Sequence, residues 1–293
     1  MIEPLADGSR WHLYRGDCIE HMAELPQACF DFAVFSPPFP SLFAYTDLAE
    51  DIGNTDDVEG EGRLHLSWFY RQLVRVMKPG RVVMVHVMQI PCLERSGKEG
   101  LIDFRGLNIR IGQRSGLIYD YDWLIGKNPQ AQAIRTRSHS LMFVTMERDR
   151  AKIRGTLGDY LIKYRIPGEN AVPIDSEGQV TRNDWISWAE ACWPWTDIRE
   201  TDTLNVAAGR DQKDTKHICP LQLPVIRRLV KMYSNPDEIV FSPFAGIGSE
   251  GVEALKAGRR FYGCEIKDSY VKAARANLTK TVAKEEDQMV LFR

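Results

Sequence analysis

The stretch "EIVFSPFAGIGSEGVEALKAGRRFYGCE", residues 238–265, constrains the fold more than any other part of the chain. A short apolar run meets a glycine-rich turn, a helix pattern follows, and a second apolar run closes the unit. The N-terminal half repeats the theme. "WHLYRGDCIEHMAELP" reads as a strand, a Gly-Asp turn and a helix ending before Pro26, and "FDFAVF" is an apolar run of the kind that fits a strand buried on both faces. Leu66, Phe69, Tyr70, Leu73, Val74 and Met77 then recur at helical spacing, with Lys78-Pro79-Gly80 as the expected stop and "RVVMVHVM" as the next strand. Alternating strands and helices predict an α/β fold around a mostly parallel sheet.

"LIYDYDWLIG" and "SHSLMFVTM" predict two further strands, an antiparallel pair at one end of that sheet. From about residue 151 to 214 the periodicity fades, and Trp185, Trp188, Trp193 and Trp195 crowd together, which predicts an inserted module with a small core of its own. Between "FDFAVF" and the first long helix, the acidic segment "TDLAEDIGNTDDVEGEG" is expected to be a surface loop.

The chain has 293 residues, 44% of them hydrophobic and 27% charged, enough to bury a substantial core. No run approaches a membrane span and no leader pattern is evident, so a soluble, cytoplasmic protein is expected. The six cysteines, at 18, 29, 92, 192, 219 and 264, form no C-x-x-C pair, and no metal-ligand spacing stands out; reduced core or near-core thiols are expected. A net charge of −2 signals no polyanion partner globally, but Arg135, Arg137, Arg148, Arg150, Lys152, Arg154, Lys163 and Arg165 concentrate positive charge locally. Such a cluster fits either a phosphate backbone or an ordinary solvated face.

Gly246-Ile247-Gly248-Ser249-Glu250-Gly251 matches G-x-G-x-x-G, and Glu265 ends the next strand 19 residues after the first glycine. Glycines there let a ligand approach the backbone at a helix N-terminus, and the acid is placed for ribose hydroxyls. A dinucleotide, S-adenosylmethionine (AdoMet) and a plain tight turn all satisfy this pattern. A second signal is Ser36-Pro37-Pro38-Phe39 at the end of "FDFAVF", where consecutive prolines hold a turn with little freedom.

"FSPFAGIGS" resembles the D-P-F-x-G-x-G-T cofactor loop of AdoMet-dependent DNA amino-methyltransferases, and Ser36 to Phe39 resemble their catalytic [DNS]-P-P-[YFW] motif. With the catalytic motif first and the cofactor loop last, the order resembles the circularly permuted β class, more narrowly the stand-alone or prophage-type members carrying "FSPPFPSL" and "HICPLQL". The resemblance implies a Rossmann-like methyltransferase fold whose catalytic half is 1–130, whose target-recognition region is about 131–210, and whose AdoMet-binding half is 211–293. It implies that Ser36 and the Pro37 carbonyl accept the hydrogens of an exocyclic amine while Phe39 stacks on a base flipped out of double-stranded DNA. Pro38 completes that turn.

Carried over position by position, the cofactor-binding set is Asp17, Cys18, Lys216, His217, Ser242, Pro243, Phe244, Ala245, Gly246, Gly248, Ser249 and Glu265. Lys127, Arg135, Arg137, Lys152 and Arg154 become DNA-binding candidates, no metal is called for, and a homodimer is expected. Ser36 points to cytosine-N4, yet the stand-alone subgroup includes adenine methylators, so adenine-N6 is the expected product and cytosine-N4 the alternative. Other readings are a nicotinamide-dependent oxidoreductase, which leaves S-P-P-F unexplained, a methyltransferase of protein amides or RNA, and a cytosine-C5 enzyme using Cys92, which follows the strand after the S-P-P-F strand and so falls at the wrong place in the order.

Overall fold

The computed structural model describes residues 5–6, 9–92, 97–136, 151, 153–175, 178–206 and 220–291. In chain order the elements are β1 (Trp11–Arg15), α1 (Cys18–Glu24), β2 (Phe30–Phe35), a single π-helical turn (Val58–Gly62), α2 (Arg63–Val76) and β3 (Met77–Met88). A short antiparallel pair follows, β4 (Ile90–Pro91) with β5 (Leu101–Ile102), then α3 (Phe104–Arg114), β6 (Ile118–Ile125), α4 (Pro129–Thr136) and β7 (Asp159–Arg165). The remaining elements are α5 (Arg182–Trp188), β8 (Cys192–Trp193), α6 (Leu223–Tyr233), β9 (Ile239–Ser242), α7 (Ser249–Lys256), β10 (Arg260–Glu265) and α8 (Asp268–Leu291).

One eight-stranded sheet organises these elements in the order β1-β10-β9-β2-β3-β7-β6-β8. The first five strands are mutually parallel, β7 runs antiparallel to both β3 and β6, and β8 adds a short parallel pairing to β6. The expected mostly parallel sheet with an antiparallel pair is therefore present. The two ends of the sequence interleave, with β10 and β9 lying between β1 and β2. From β9 the chain moves toward β1, and from β2 it moves the other way. The β9/β2 boundary is thus a topological switch point, where crevices open beyond the carboxyl ends of strands.

Apolar side chains fill both faces. On one, α1, α2 and α3 contribute Met22, Phe69, Leu73, Leu107 and Ile111; on the other, α6, α7 and α8 contribute Ile226, Leu229, Val252, Leu255 and Leu278. Every residue of β2 is buried, including its one charged member, Asp31. Asp31 accepts the Ile239 amide at 2.9 Å and Lys78 Nζ at 2.6 Å, and Arg81 links it onward to Glu238. A buried carboxylate thereby joins the starts of β2, β3 and β9.

Several expectations need correction. Helix α2 ends at Val76 without waiting for Lys78-Pro79-Gly80, which lies within β3 where the β2 register slips between Phe30 and Phe32. A proline lacking its amide cannot keep the ladder regular there. "SHSLMFVTM" falls outside the described residues, and the strand that pairs with β6 is β7, inside the 131–210 span. That stretch belongs to the central sheet because Leu161, Ile162 and Tyr164 alternate into both cores. The tryptophans do not build a separate core. Trp193 is buried in the main one beside Trp123, whereas Trp185 and Trp195 are exposed. Lys163 and Arg165 of the basic cluster lie on β7 and pair with Asp120. Cys18, Cys29 and Cys264 are buried as expected, but Cys192 is exposed. Among the described residues, no helix is long and apolar enough to cross a membrane.

Removing one partner of a buried charge network strands the others, at a cost of about 3 to 5 kcal/mol. Asp31→Ala is expected to lower unfolding free energy by that amount in urea titrations, while Asp268→Ala, whose ion pair with Arg15 is exposed, changes it by less than about 1 kcal/mol.

Candidate active site

A crevice opens where β2 and β9 end. Its empty space, counted out to the open mouth, is about 1050 Å³. Its wall combines Ser36, Pro37, Pro38 and Phe39 with Asp17, Cys18 and the segment Pro243–Ile247, so the two sequence signals, some 200 residues apart, face one cavity.

The glycine loop is held by its own backbone chemistry. Gly248 adopts φ 87° and precedes α7, and a Cβ there would stand 3.3 Å from Ala274. Gly246 also has positive φ, at 52°, but a Cβ on it would meet nothing within 4 Å. The missing side chain at 246 therefore keeps open space free. Glu265 anchors the loop, accepting the Gly246 amide at 2.8 Å through one oxygen and the Lys267 amide at 2.8 Å through the other. Ala245 donates to the Cys264 carbonyl at 2.8 Å.

Acid dominates the cavity wall. Asp17, Glu50, Asp51, Glu250 and Glu265 line it, and no Lys, Arg or His does so among the described residues. Burial raises Glu250 to about 8, and the neighbouring Glu265 charge adds to the shift. Burial likewise raises Glu265 to about 7, even though the Lys267 and Gly246 amides pull it down. The cavity is thus short of positive charge.

On the other side, the S-P-P-F turn leaves the end of β2. Ser36 Oγ lies 3.1 Å from the His86 carbonyl, to which it can donate, and 3.2 Å from His86 Nδ1. Pro37 is buried, and Phe39 is half-buried with its ring centroid 5.4 Å from that of Phe104. Phe35 and Phe244 pack on Phe69 behind the turn.

Other expected residues divide by position. Asp17 caps α1, accepting the Ile19 amide at 3.1 Å and the Glu20 amide at 3.2 Å, while also lining the cavity. Cys18 lines it as a buried thiol whose pKa burial raises strongly. Ser249 is on the wall; Ser242 and Gly248 are buried behind it. Lys216, His217, Arg137 and Lys152 lie outside the described residues, although Pro220 and Leu221, from the same segment as His217, do line the cavity. The backbone of Arg135 is in α4. Arg154 donates to the Gly155 carbonyl. Lys127 is largely buried and pairs with Asp159 at 2.5 Å, so a phosphate would have to compete with that carboxylate.

Sequence reasoning missed Asp51. It lies in the loop assigned to the surface, yet it is buried and accepts the amides of Tyr45, Thr46 and Gly53 at 2.7, 2.7 and 2.9 Å. It folds the acidic segment back over the cavity. Glu250 was also missed, although its place inside the glycine motif marked it.

The sequence profile of the N6/N4 DNA methylase family matches residues 30–276. The chain belongs to that family. The type II methyltransferase M.ScaI of Streptomyces caespitosus is 25% identical over 291 residues, covering 94% of this chain and 84% of that one. Relatives that are 34%, 39% and 42% identical match over shorter stretches, and the chain spans only 30%, 27% and 19% of their lengths. Among solved structures, a Thermus thermophilus protein described as a DNA modification methylase and complexed with AdoMet superposes with a TM-score of 0.68 at 20% identity, covering 92% of this chain and 94% of that one. PvuII DNA methyltransferase, described as cytosine-N4-specific, gives 0.66 at 16% identity, covering 92% and 86%. These likenesses bear on the fold.

A buried carboxyl with a raised pKa binds more protons folded than unfolded between its two pKa values, so stability falls as pH rises through that window. For Glu250 the window runs from about 4.5 to about 8. The melting temperature of the free protein is therefore expected to drop across that range, and Glu250→Gln is expected to flatten the drop; an unchanged slope would contradict the burial of this charge.

Proposed function

We propose that this chain is an AdoMet-dependent DNA methyltransferase acting on an exocyclic amino group of a base flipped from duplex DNA. The observation that carries the reading is the single cavity joining a cation-seeking, acid-lined cleft to the S-P-P-F turn. A dinucleotide brings a pyrophosphate carrying two negative charges, which would face five acidic side chains, Glu250 and Glu265 among them with raised pKa values, and no basic side chain on the described wall. AdoMet carries one carboxylate but a net positive charge, and its sulfonium, α-ammonium and ribose diol suit that wall. The open space at Gly246 gives its backbone approach. Asp17 and Glu265 are the acids proposed for the adenosine end, with Pro243 to Gly246 along the cofactor and Lys216 and His217 at the methionine end.

When bound, AdoMet supplies an electrophilic methyl group. The chain's task is to make a poor nucleophile attack. An exocyclic amine delocalises its lone pair into the ring, and acceptors on its two hydrogens favour a tetrahedral nitrogen with that pair free. Ser36 Oγ and the Pro37 carbonyl fill this role, held in place by consecutive prolines and by the packing of Pro37. Phe39, braced by Phe104, offers the ring on which the base stacks. Adenine-N6 is the first assignment, from the resemblance to the stand-alone subgroup, and cytosine-N4 the second, because one hydroxyl oxygen serves either amine. Arg135, Arg137, Lys152 and Arg154 are proposed to contact DNA from the segment around 131–210, and the active species is a homodimer, testable by sedimentation.

Incubation with methyl-labelled AdoMet and duplex DNA is expected to label a base amine, and hydrolysis of the product identifies the base. Ser36→Ala and Phe39→Ala are each expected to slow turnover by about 10²-fold, the scale of single positioned contacts to a transition state, while AdoMet affinity changes less than about threefold. Tight dinucleotide binding with no transfer to any duplex would overturn the proposal.

A further inference from the structure

Behind Ser36 runs a chain of polar groups across four neighbouring strands. Ser36 follows β2, His86 lies on β3, Asp159 opens β7, and Lys127 follows β6. The register places them together: Phe35 pairs with Val85, Met88 with Asp159, and Ile125 with Asp159. His86 Nδ1 is 3.2 Å from Ser36 Oγ, His86 Nε2 is 2.8 Å from Asp159 Oδ2, and Lys127 Nζ is 2.5 Å from that same oxygen. Among the described residues, the charged group that the structure bonds to His86 is Asp159 from β7, itself paired with Lys127 from the turn after β6, while Ser36 after β2 offers its hydroxyl.

Amine methylation poses a proton problem that a serine cannot solve alone. Alkylated nitrogen becomes cationic and must lose a proton, yet a hydroxyl is too weak a base to keep one. An imidazole is suited to the task at neutral pH. Asp159 is fully buried, which alone would raise its pKa, but Lys127 and then His86 outweigh burial and hold it at about 2. It therefore stays ionised and accepts Nε2–H. That fixes the tautomer with the Nδ1 lone pair toward Ser36.

Resting on the amino-methyltransferase reading, we propose that His86, oriented by Asp159, receives the surplus amine proton through Ser36. The nitrogen lone pair forms the new C–N bond as the S–C bond breaks and its electron pair goes to sulfur. The ammonium proton passes to Ser36 Oγ while the Ser36 hydroxyl proton passes to His86 Nδ1. Serine ends neutral, the methylated amine is neutral, and the positive charge resides on an imidazolium beside Asp159 until solvent takes the proton. In that state Nδ1–H donates to Ser36 Oγ, whose own proton turns to the His86 carbonyl 3.1 Å away. His86 and Asp159 are positioning residues acting through Ser36. An ordinary structural histidine would hold the turn but impose no pH dependence on transfer.

The test is single-turnover methyl transfer to duplex DNA at saturating labelled AdoMet across pH 5 to 9, so that the ionisation of Glu250 and Glu265 on cofactor binding does not set the rate, for wild type, His86→Gln and Asp159→Asn. The wild-type rate is expected to fall on the acid side, where the proton acceptor behind Ser36 is already filled. His86→Gln is expected to lose about 10²- to 10⁴-fold, the range of general base catalysis, and to lose that acid limb, with AdoMet affinity retained. Asp159→Asn keeps an acid limb but at lower pH, because the imidazolium has lost its counter-charge. If His86→Gln folds poorly, the Asp159→Asn midpoint decides by itself. Retention of the wild-type limb in His86→Gln, or an unmoved midpoint in Asp159→Asn, would overturn the relay. Absence of transfer by the wild type would instead overturn the methyltransferase reading on which it rests.

Discussion

Strands β2 and β9 touch through only two register pairs, Phe32 with Val240 and Ala33 with Phe241, and everything in the cavity depends on that contact. It joins the end of the first block of the chain to the start of the last. Both strands finish at the switch point of the sheet, so the turns that leave them, S-P-P-F and S-P-F-A-G, emerge side by side. Asp31 secures the opposite end of the junction by accepting the Ile239 amide while holding Lys78 and Arg81. The stacked rings of Phe30 and Phe241, 4.1 Å apart, secure the middle. On the proposed reading a methylation site needs its cofactor and its base in one place, and this pairing brings the two turns proposed to hold them together.

Electrostatics then narrows what the shape admits. A glycine loop before a helix commonly greets phosphate, because free amides and the helix dipole favour negative charge. Here one of those amides, Gly246, is already taken by Glu265, and Glu250 sits in the first turn of α7. With that amide engaged and an acid in the first turn, the loop offers less to an anion than its glycines suggest. Burial raises the pKa values of Glu250 and Glu265, so in the free cavity both hold protons near neutral pH, and a cationic ligand would favour their ionisation.

Much of this was legible in the sequence where periodicity was strong. The β9-α7-β10 unit, the buried β2 and the turn at Gly16-Asp17 before α1 follow from apolar spacing and turn residues. What escaped were features set by distant neighbours. Strand β7 hides in a segment read as an insert, because "DYLIKYR" mixes charges with its apolar residues and only its partners β3 and β6 show which face is inside. The acidic loop read as solvent-facing, yet three backbone amides satisfy Asp51 and draw it into the wall. His86 carried a faint signal as the polar residue in an apolar strand, but its link to Asp159 spans 73 residues and is fixed by strand register, which no local pattern encodes.

The claim that an acid-lined cleft selects a cationic cofactor is tested most directly by calorimetric titration with AdoMet, its neutral-sulfur product S-adenosylhomocysteine, and a nicotinamide dinucleotide. The expected result is measurable binding of both adenosyl ligands with no detectable dinucleotide binding, and net proton release on AdoMet binding near pH 7 as Glu250 and Glu265 ionise against it. Tight dinucleotide binding, or AdoMet binding with proton uptake, would contradict it.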